Sequence, residues 1–202
     1  MNLIVKLAPV ALAAVVAACA SSSPAPVLLT LPPTGALATA AVAPGEPASA
    51  PLLAVRRVAI PEYLVSRRVR YRADAATLAE WPNTYWAERI EISVSREFVS
   101  ALRQQLPGWT MCDTNCGDQM PGLNLQVSFV PMDFVRGART LQARARITLS
   151  GASLPARELS TKDLSVEIPA HADTAQAHAQ AISTLIEKAA AEAAPMIRNA
   201  RP

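Results

Sequence analysis

A chain of 202 residues that is 51% hydrophobic is long enough to build one ordinary domain around its own core. Its formal charge of +3 is only mildly basic, and seven glycines make phosphate-cradling loops improbable.

The chain opens with Asn2 to Lys6, then an apolar run from Leu7 to Ala18 broken by one proline, then Cys19. A charged start, an apolar stretch of roughly 12 residues and small residues at the cut predict a secretory signal over residues 1–18, too short for a spanning helix. Val16-Ala17-Ala18-Cys19 resembles a bacterial lipobox, which makes Cys19 the lipidated first residue of the mature protein; the alternative is an incidental thiol after an ordinary signal. Ala20, rather than an aspartate, follows the cysteine and points to the outer membrane. Removing residues 1–18 takes away one lysine, so +3 becomes +2. A periplasmic address leaves no nucleic acid to bind, which disposes of the usual reading of arginine clusters.

Residues 19–51 follow as anchor and tether: Ala, Pro, Ser, Thr, Val, Leu and Gly dominate, with a single charge at Glu46. Such a segment is expected to be disordered and, as a flexible coil, to span about 30 Å. The periplasmic domain is then residues 52–202.

Within it, Leu53 to Ile60 predicts a strand closed by Pro61, ahead of the turn Pro61-Glu62-Tyr63-Leu64. Arg67 to Arg72 predicts a second strand, in which Arg68, Arg70 and Arg72 share one face and Val69 and Tyr71 the other. Ala75 to Thr84, containing Trp81-Pro82-Asn83, is expected as a loop or short helical turn. Trp86, Ile90, Val94, Phe98 and Leu102 then recur every four residues, predicting an amphipathic helix from Asn83 or Thr84 to Gln105, stopped by Pro107-Gly108.

Cys112 and Cys116 lie four positions apart in a loop between Pro107 and Pro121. In an oxidising compartment the simplest expectation is a local disulfide. A metal site is the rival, but no histidine is near and two thiolates do not complete a tetrahedral shell.

Three alternating segments follow. Leu123 to Phe129 alternates cleanly, and after Pro131 the phase slips to Met132 and Phe134, as a bulge or an edge strand would do. Leu141 to Leu149 and Leu164 to Ile168 alternate in turn, separated by turns at Arg136–Arg139 and Gly151–Pro155. A second helix is expected from 173 to about 198, capped by Asp173 or Thr174 and bent or frayed by Pro195. One wet and one dry face per strand predict an α+β fold: an antiparallel β-sheet of four to five strands with two long helices packed on one face. The phase-slipped edges leave open self-association as a homo-oligomer.

No catalytic constellation is visible. There is no Gly-x-Ser-x-Gly turn, and neither Walker nor dinucleotide glycine patterns occur, so neither an enzyme nor a cofactor is expected. His171 and His178 are seven apart and read as exposed helix-start histidines rather than metal ligands.

The domain resembles the ABC-type transport auxiliary lipoproteins, the PqiC-like lipoproteins of MCE-type intermembrane lipid transport systems. The resemblance rests on the lipobox at Cys19, Pro61-Glu62-Tyr63-Leu64, the Arg-bearing strand ending at Arg72, Trp86-Ala87-Glu88, a three-strand meander and an Ala/Leu-rich final helix. Val65-Ser66 stands where the family often carries Asp-Arg. The resemblance implies a non-catalytic lipoprotein, held to the membrane by its N-terminal lipid anchor, that docks on an MCE-domain protein of an ABC-type lipid transporter. Its candidate contact surface is Tyr63, Arg68, Arg70 and Arg72, close to Trp86. The bland alternative for the arginines is a solvated strand face. A structural or assembly lipoprotein, such as a Tol-like module or a secretin pilot, is the alternative function; a lipid-modifying enzyme has no nucleophile that can be named.

Overall fold

The computed structural model describes residues 24–34, 50–113, 116–152 and 155–200. The signal at residues 1–18 and the lipidation position Cys19 lie outside the described residues.

Among the described residues, eight strands and two α-helices make an α+β fold. The strands are β1 (Val27–Leu29), β2 (Leu52–Val55), β3 (Arg68–Arg72), β4 (Leu78–Trp86), β5 (Thr110–Cys112), β6 (Leu123–Val135), β7 (Thr140–Gly151) and β8 (Glu158–Pro169). The helices are α1 (Ile90–Gln105) and α2 (Ala175–Asn199), and a 3-10 turn covers Glu62–Leu64.

The sheet is larger than the four to five strands expected, and it is mixed rather than antiparallel. Its order is β1-β4-β3-β6-β2-β5, with β7 on the other side of β6 and β8 beyond β7. The β3/β4, β6/β7 and β7/β8 pairs are antiparallel, whereas β1/β4, β2/β5, β2/β6 and β3/β6 are parallel. Alternation reports which face of a strand is dry; it does not report the direction of the neighbour.

Both added strands and shifted boundaries have local causes. Residues 78–86 are strand, not loop followed by the start of a helix: Pro82 and Asn83 sit inside an irregularity where the β3/β4 register shifts between Arg68 and Arg70. Asn83 takes the positive φ of 50° that such a kink requires and that asparagine tolerates better than most residues. Trp86 therefore ends β4 and lies outside the helix that was expected to start at Asn83 or Thr84. Helix α1 starts at Ile90, after an extended Arg89 that supplies no side-chain cap. The phase slip after Pro131 is an irregularity between Phe129 and Met132 in a strand interior to the sheet, not at its edge.

Helix α2 is capped by Thr174, whose Oγ1 accepts from the Ala177 N–H at 3.1 Å. It continues through Pro195 without a break. Ala189, Ala190, Ala193, Ala194 and Ile197 are all fully or nearly fully buried around that proline, so packing outweighs the missing N–H. The two helices pack on each other, and α2 lies across β7, β8 and β1. Phe98, Phe129, Phe134, Leu125 and Ile147 fill the layer between, while Gln126, Arg144 and Arg146 stay exposed on the uncovered face.

The segment expected as a tether is docked over residues 24–34. β1 pairs in parallel with β4, from Val27 opposite Thr84 to Leu29 opposite Trp86. Leu29 and Leu31 are buried, and Thr34 is 2% exposed. Alternation over three residues is too short to be seen, and the prolines around it look like linker composition. Only the strand edge offered by β4 makes the segment a strand.

Candidate partner-docking site

The predicted contact residues fall into two groups. Val69 is fully buried, so the backbone alternation of β3 turns Arg68, Arg70 and Arg72 toward the face away from the helices. Across the antiparallel pair, Arg68 stands opposite Tyr85 and Arg70 opposite Glu80. Glu80 takes both: Arg68 Nη1 lies 3.3 Å from its Oε2 and Arg70 Nε 3.4 Å from its Oε1. Arg68 also sits 5.3 Å over the Tyr85 ring.

Arg72 belongs to a different cluster. Its Nε lies 2.9 Å from Asp133 Oδ2, and the Tyr63 hydroxyl donates to Asp133 Oδ1 at 3.0 Å. Arg70 Nη1 donates to the Tyr63 carbonyl at 2.7 Å, tying the 3-10 turn to β3. Burial, and then the bond to Asp133, hold the Tyr63 phenol above its ordinary pKa. The bond to the Asp133 carboxylate raises that of the Arg72 guanidinium. Tyr63 and Arg72 thus fasten the turn to β6.

Trp86 does not join them. It is 4% exposed, on the helix side, with its ring edge toward His178 at 6.3 Å. His178 itself is buried rather than exposed: it stacks on Phe134 at 4.6 Å, and desolvation lowers its pKa to about 3. Its Nδ1 has no hydrogen-bond partner among the described residues. His171 is exposed and precedes the helix, which starts at Ala175, whereas His178 shares a side of that helix with Ala175, Ile182 and Leu185; that apolar company was the sequence signal for burial.

What remains accessible is a shallow groove of about 670 Å³ beside the docked N-terminal segment. Leu28, Arg67, Arg68, Arg70, Glu80 and Tyr85 line it. Three guanidiniums face one carboxylate, so the groove carries surplus positive charge. Its wall is held by Asn83, whose Nδ2 donates to the carbonyls of Pro24 and Ala25 at 2.8 and 3.0 Å. Sequence reasoning missed Tyr85 and Leu28 because β1 and β4 were not foreseen as strands; Arg67 was placed at the start of the arginine strand but not among the contacts. Cys112 and Cys116 are joined by a disulfide, with Cα atoms 5.2 Å apart, remote in sequence from this groove.

Among the described residues, no group of three or more His, Cys, Asp or Glu side chains is placed to hold a metal. No helix among them is long and apolar enough to cross a membrane.

The family model described as the ABC-type transport auxiliary lipoprotein component matches residues 30–194. No curated protein matches the chain. Among solved structures, an uncharacterized protein is similar at a TM-score of 0.68 and 18% identity, covering 86% of this chain and 99% of the other. Protein XCC0632 from Xanthomonas campestris, of family DUF330, is similar at a TM-score of 0.58 and 16% identity, covering 86% and 92%. At such identities these likenesses establish the fold alone.

Proposed function

The chain belongs to the family of ABC-type transport auxiliary lipoprotein components, and on that premise we propose that it is a non-catalytic periplasmic subunit of an MCE-type intermembrane lipid transport system. It is anchored at the outer membrane through Cys19 and docks on the periplasmic MCE assembly. The observation that carries this reading is the family match itself, which begins inside the docked N-terminal segment and extends into α2. Membership makes the protein an envelope lipoprotein associated with an ABC-type transporter; the MCE partner and the outer membrane belong to the proposal.

The groove beside β1 supports a docking role. Arg67 and Arg68 are exposed, and Arg68 shares its only carboxylate partner among the described residues with Arg70. An acidic segment of a partner gains charge complementarity there, which favours specificity and encounter rate. Arg72 and Tyr63 support the surface from beneath by fixing the turn, and Trp86 contributes through the core.

The test is affinity purification of the full chain from detergent-solubilised envelopes. An MCE-domain protein, with its permease and ATPase, should co-purify, and the pair Arg67→Gln and Arg68→Gln should reduce recovery several-fold without loss of folding. Recovery of an outer-membrane pore or a cell-wall component instead would favour a structural or assembly lipoprotein.

A further inference from the structure

Helix α1 carries a second apolar stripe on its outer flank. Its buried side holds Ile90, Val94, Phe98, Ala101 and Leu102. Ile92 and Val99, two turns apart, lie at its margin: Ile92 is 40% exposed, and Val99 is half-buried with part of its side chain against the core. Opposite this flank the chain leaves β2 at the buried Val55 and runs through Arg56 and Arg57. Between the two lies a groove of about 630 Å³, within the range of small-molecule sites. Val55, Ile92 and Val99 form its apolar floor.

The rim is cationic. Arg56, Arg57 and Arg103 line it, all three exposed and none in an ion pair among the described residues. Arg96 also reaches the groove, but Glu88 and Glu97 hold it, at 2.7 and 3.2 Å. Among the described residues of the lining Asp113 is the one acid, and it leaves the rim net positive. Ser95 is satisfied within the protein, its Oγ accepting from the Val58 N–H at 3.1 Å and donating to the Glu91 carbonyl at 2.7 Å. The floor therefore asks for hydrocarbon and the rim for an anion. A free phosphate would leave the floor wet, and a neutral apolar ligand would leave the guanidiniums with water alone, gaining nothing from their charge.

We propose that this groove binds an anionic phospholipid, its phosphate against Arg56, Arg57 and Arg103 and the start of one acyl chain over Ile92 and Val99. Guanidinium is the group best matched to phosphate oxygens, through paired N–H donors. The inference rests on the groove's own chemistry and stands whether or not the chain docks on an MCE assembly. The site lies on the flank of α1 and shares no lining residue with the groove beside β1.

The test uses the full chain in dodecyl maltoside micelles with phosphatidylglycerol carrying a photoreactive acyl chain, compared with the same photoreactive phosphatidylcholine. Phosphatidylglycerol should label peptides spanning 92–103 at least five-fold more than phosphatidylcholine. The triple variant Arg56→Gln, Arg57→Gln and Arg103→Gln, verified as folded by circular dichroism, should bring the two lipids level. The pair Ile92→Gln and Val99→Gln, which keeps the rim, should lower labelling by both. Equal labelling by the two lipids in the unmodified chain, labelling elsewhere, or unchanged labelling in the triple variant would overturn the proposal. So would complete protection by inorganic phosphate, which identifies a simple anion site. A benzophenone placed at position 99 in cells should give a lipid-mass adduct; a polypeptide adduct there would assign the groove to a protein partner and refute the lipid.

Discussion

Arg72 and Asp133 are paired at 2.9 Å across the β3/β6 junction, with the Asp133 side chain only 11% exposed. The same carboxylate receives the Tyr63 hydroxyl, so one aspartate locks both the Pro-Glu-Tyr-Leu turn and the end of the arginine row. Of the three arginines read as one surface, Arg72 is a structural member and Arg68 an accessible one.

Asp133→Ala should therefore cost about 2–3 kcal/mol, because it orphans a guanidinium and a phenol that are partly buried. Tyr63→Phe removes one hydrogen bond and should cost about 1 kcal/mol. Arg68→Gln, at a side chain 50% exposed, should change stability by less than about 0.5 kcal/mol. Urea denaturation of the three variants gives the ordering; a loss for Arg68→Gln as large as that for Asp133→Ala would refute it.

Docking of the N-terminal segment hangs on Thr34 and Glu97. The Thr34 N–H donates to Glu97 Oε2 at 3.0 Å, its hydroxyl donates to the Glu97 carbonyl at 2.7 Å, and both residues are buried. Gln104 Nε2 closes on the Thr34 carbonyl at 2.9 Å, and Ser183 Oγ on that of Pro32 at 2.9 Å. Thr34→Val keeps the volume but leaves Glu97 a donor short, at a cost of about 1–3 kcal/mol. Amide exchange in β1 should then speed up at least ten-fold while β6 and β7 keep their protection. Uniform loss of protection would mean that the segment is part of the global folding unit.

His178 gives the protein an acid sensitivity above the carboxylate range. Its pKa falls from 6.5 to about 3 on folding because burial penalises the cation. Between those values the unfolded chain holds a proton that the folded chain does not. The stability is thus complete above pH 6.5 and declines as pH falls toward 3, by about 1.4 kcal/mol per unit at most. From pH 7.5 to pH 5 the unmodified protein should lose about 2 kcal/mol that His178→Leu retains. Parallel pH dependence in the two proteins would show that His178 does not titrate on unfolding.

Reduction of the Cys112–Cys116 bond should cost only about 2 kcal/mol, the closure entropy of so short a loop. A small Tm decrease on adding dithiothreitol, with the α-helical signal unchanged, is the expected reading; collapse of the fold would show a larger structural part for this loop.

Much of this fold can be read from residue order. The dry faces of Leu123–Phe129 and Leu141–Leu149 were legible because long strands repeat their pattern enough times to be seen, and Ile182, Leu185 and Ile186 marked α2 in the same way. β1 and β4 were not. Val27–Leu29 is strand only because β4 offers an edge, and Trp81-Pro82-Asn83 reads as a break because its kink is absorbed by a neighbour rather than by a loop. Trp86 fitted a four-residue row by coincidence of spacing. The candidate site suffered accordingly: Arg68 and Arg70 were in view, while Glu80, which pairs with both, lay in a stretch read as loop, and Tyr85, which lies under Arg68, in one read as the start of the first helix.

The most direct measurement of the central claim is photo-crosslinking in intact cells from a benzophenone at position 68 of the full chain. Docking on a transporter's periplasmic assembly predicts an adduct with an MCE-domain protein, weakened several-fold by Arg67→Gln. An adduct with only an outer-membrane pore or a cell-wall component, or none from this face while the protein remains at its anchor, would contradict the account.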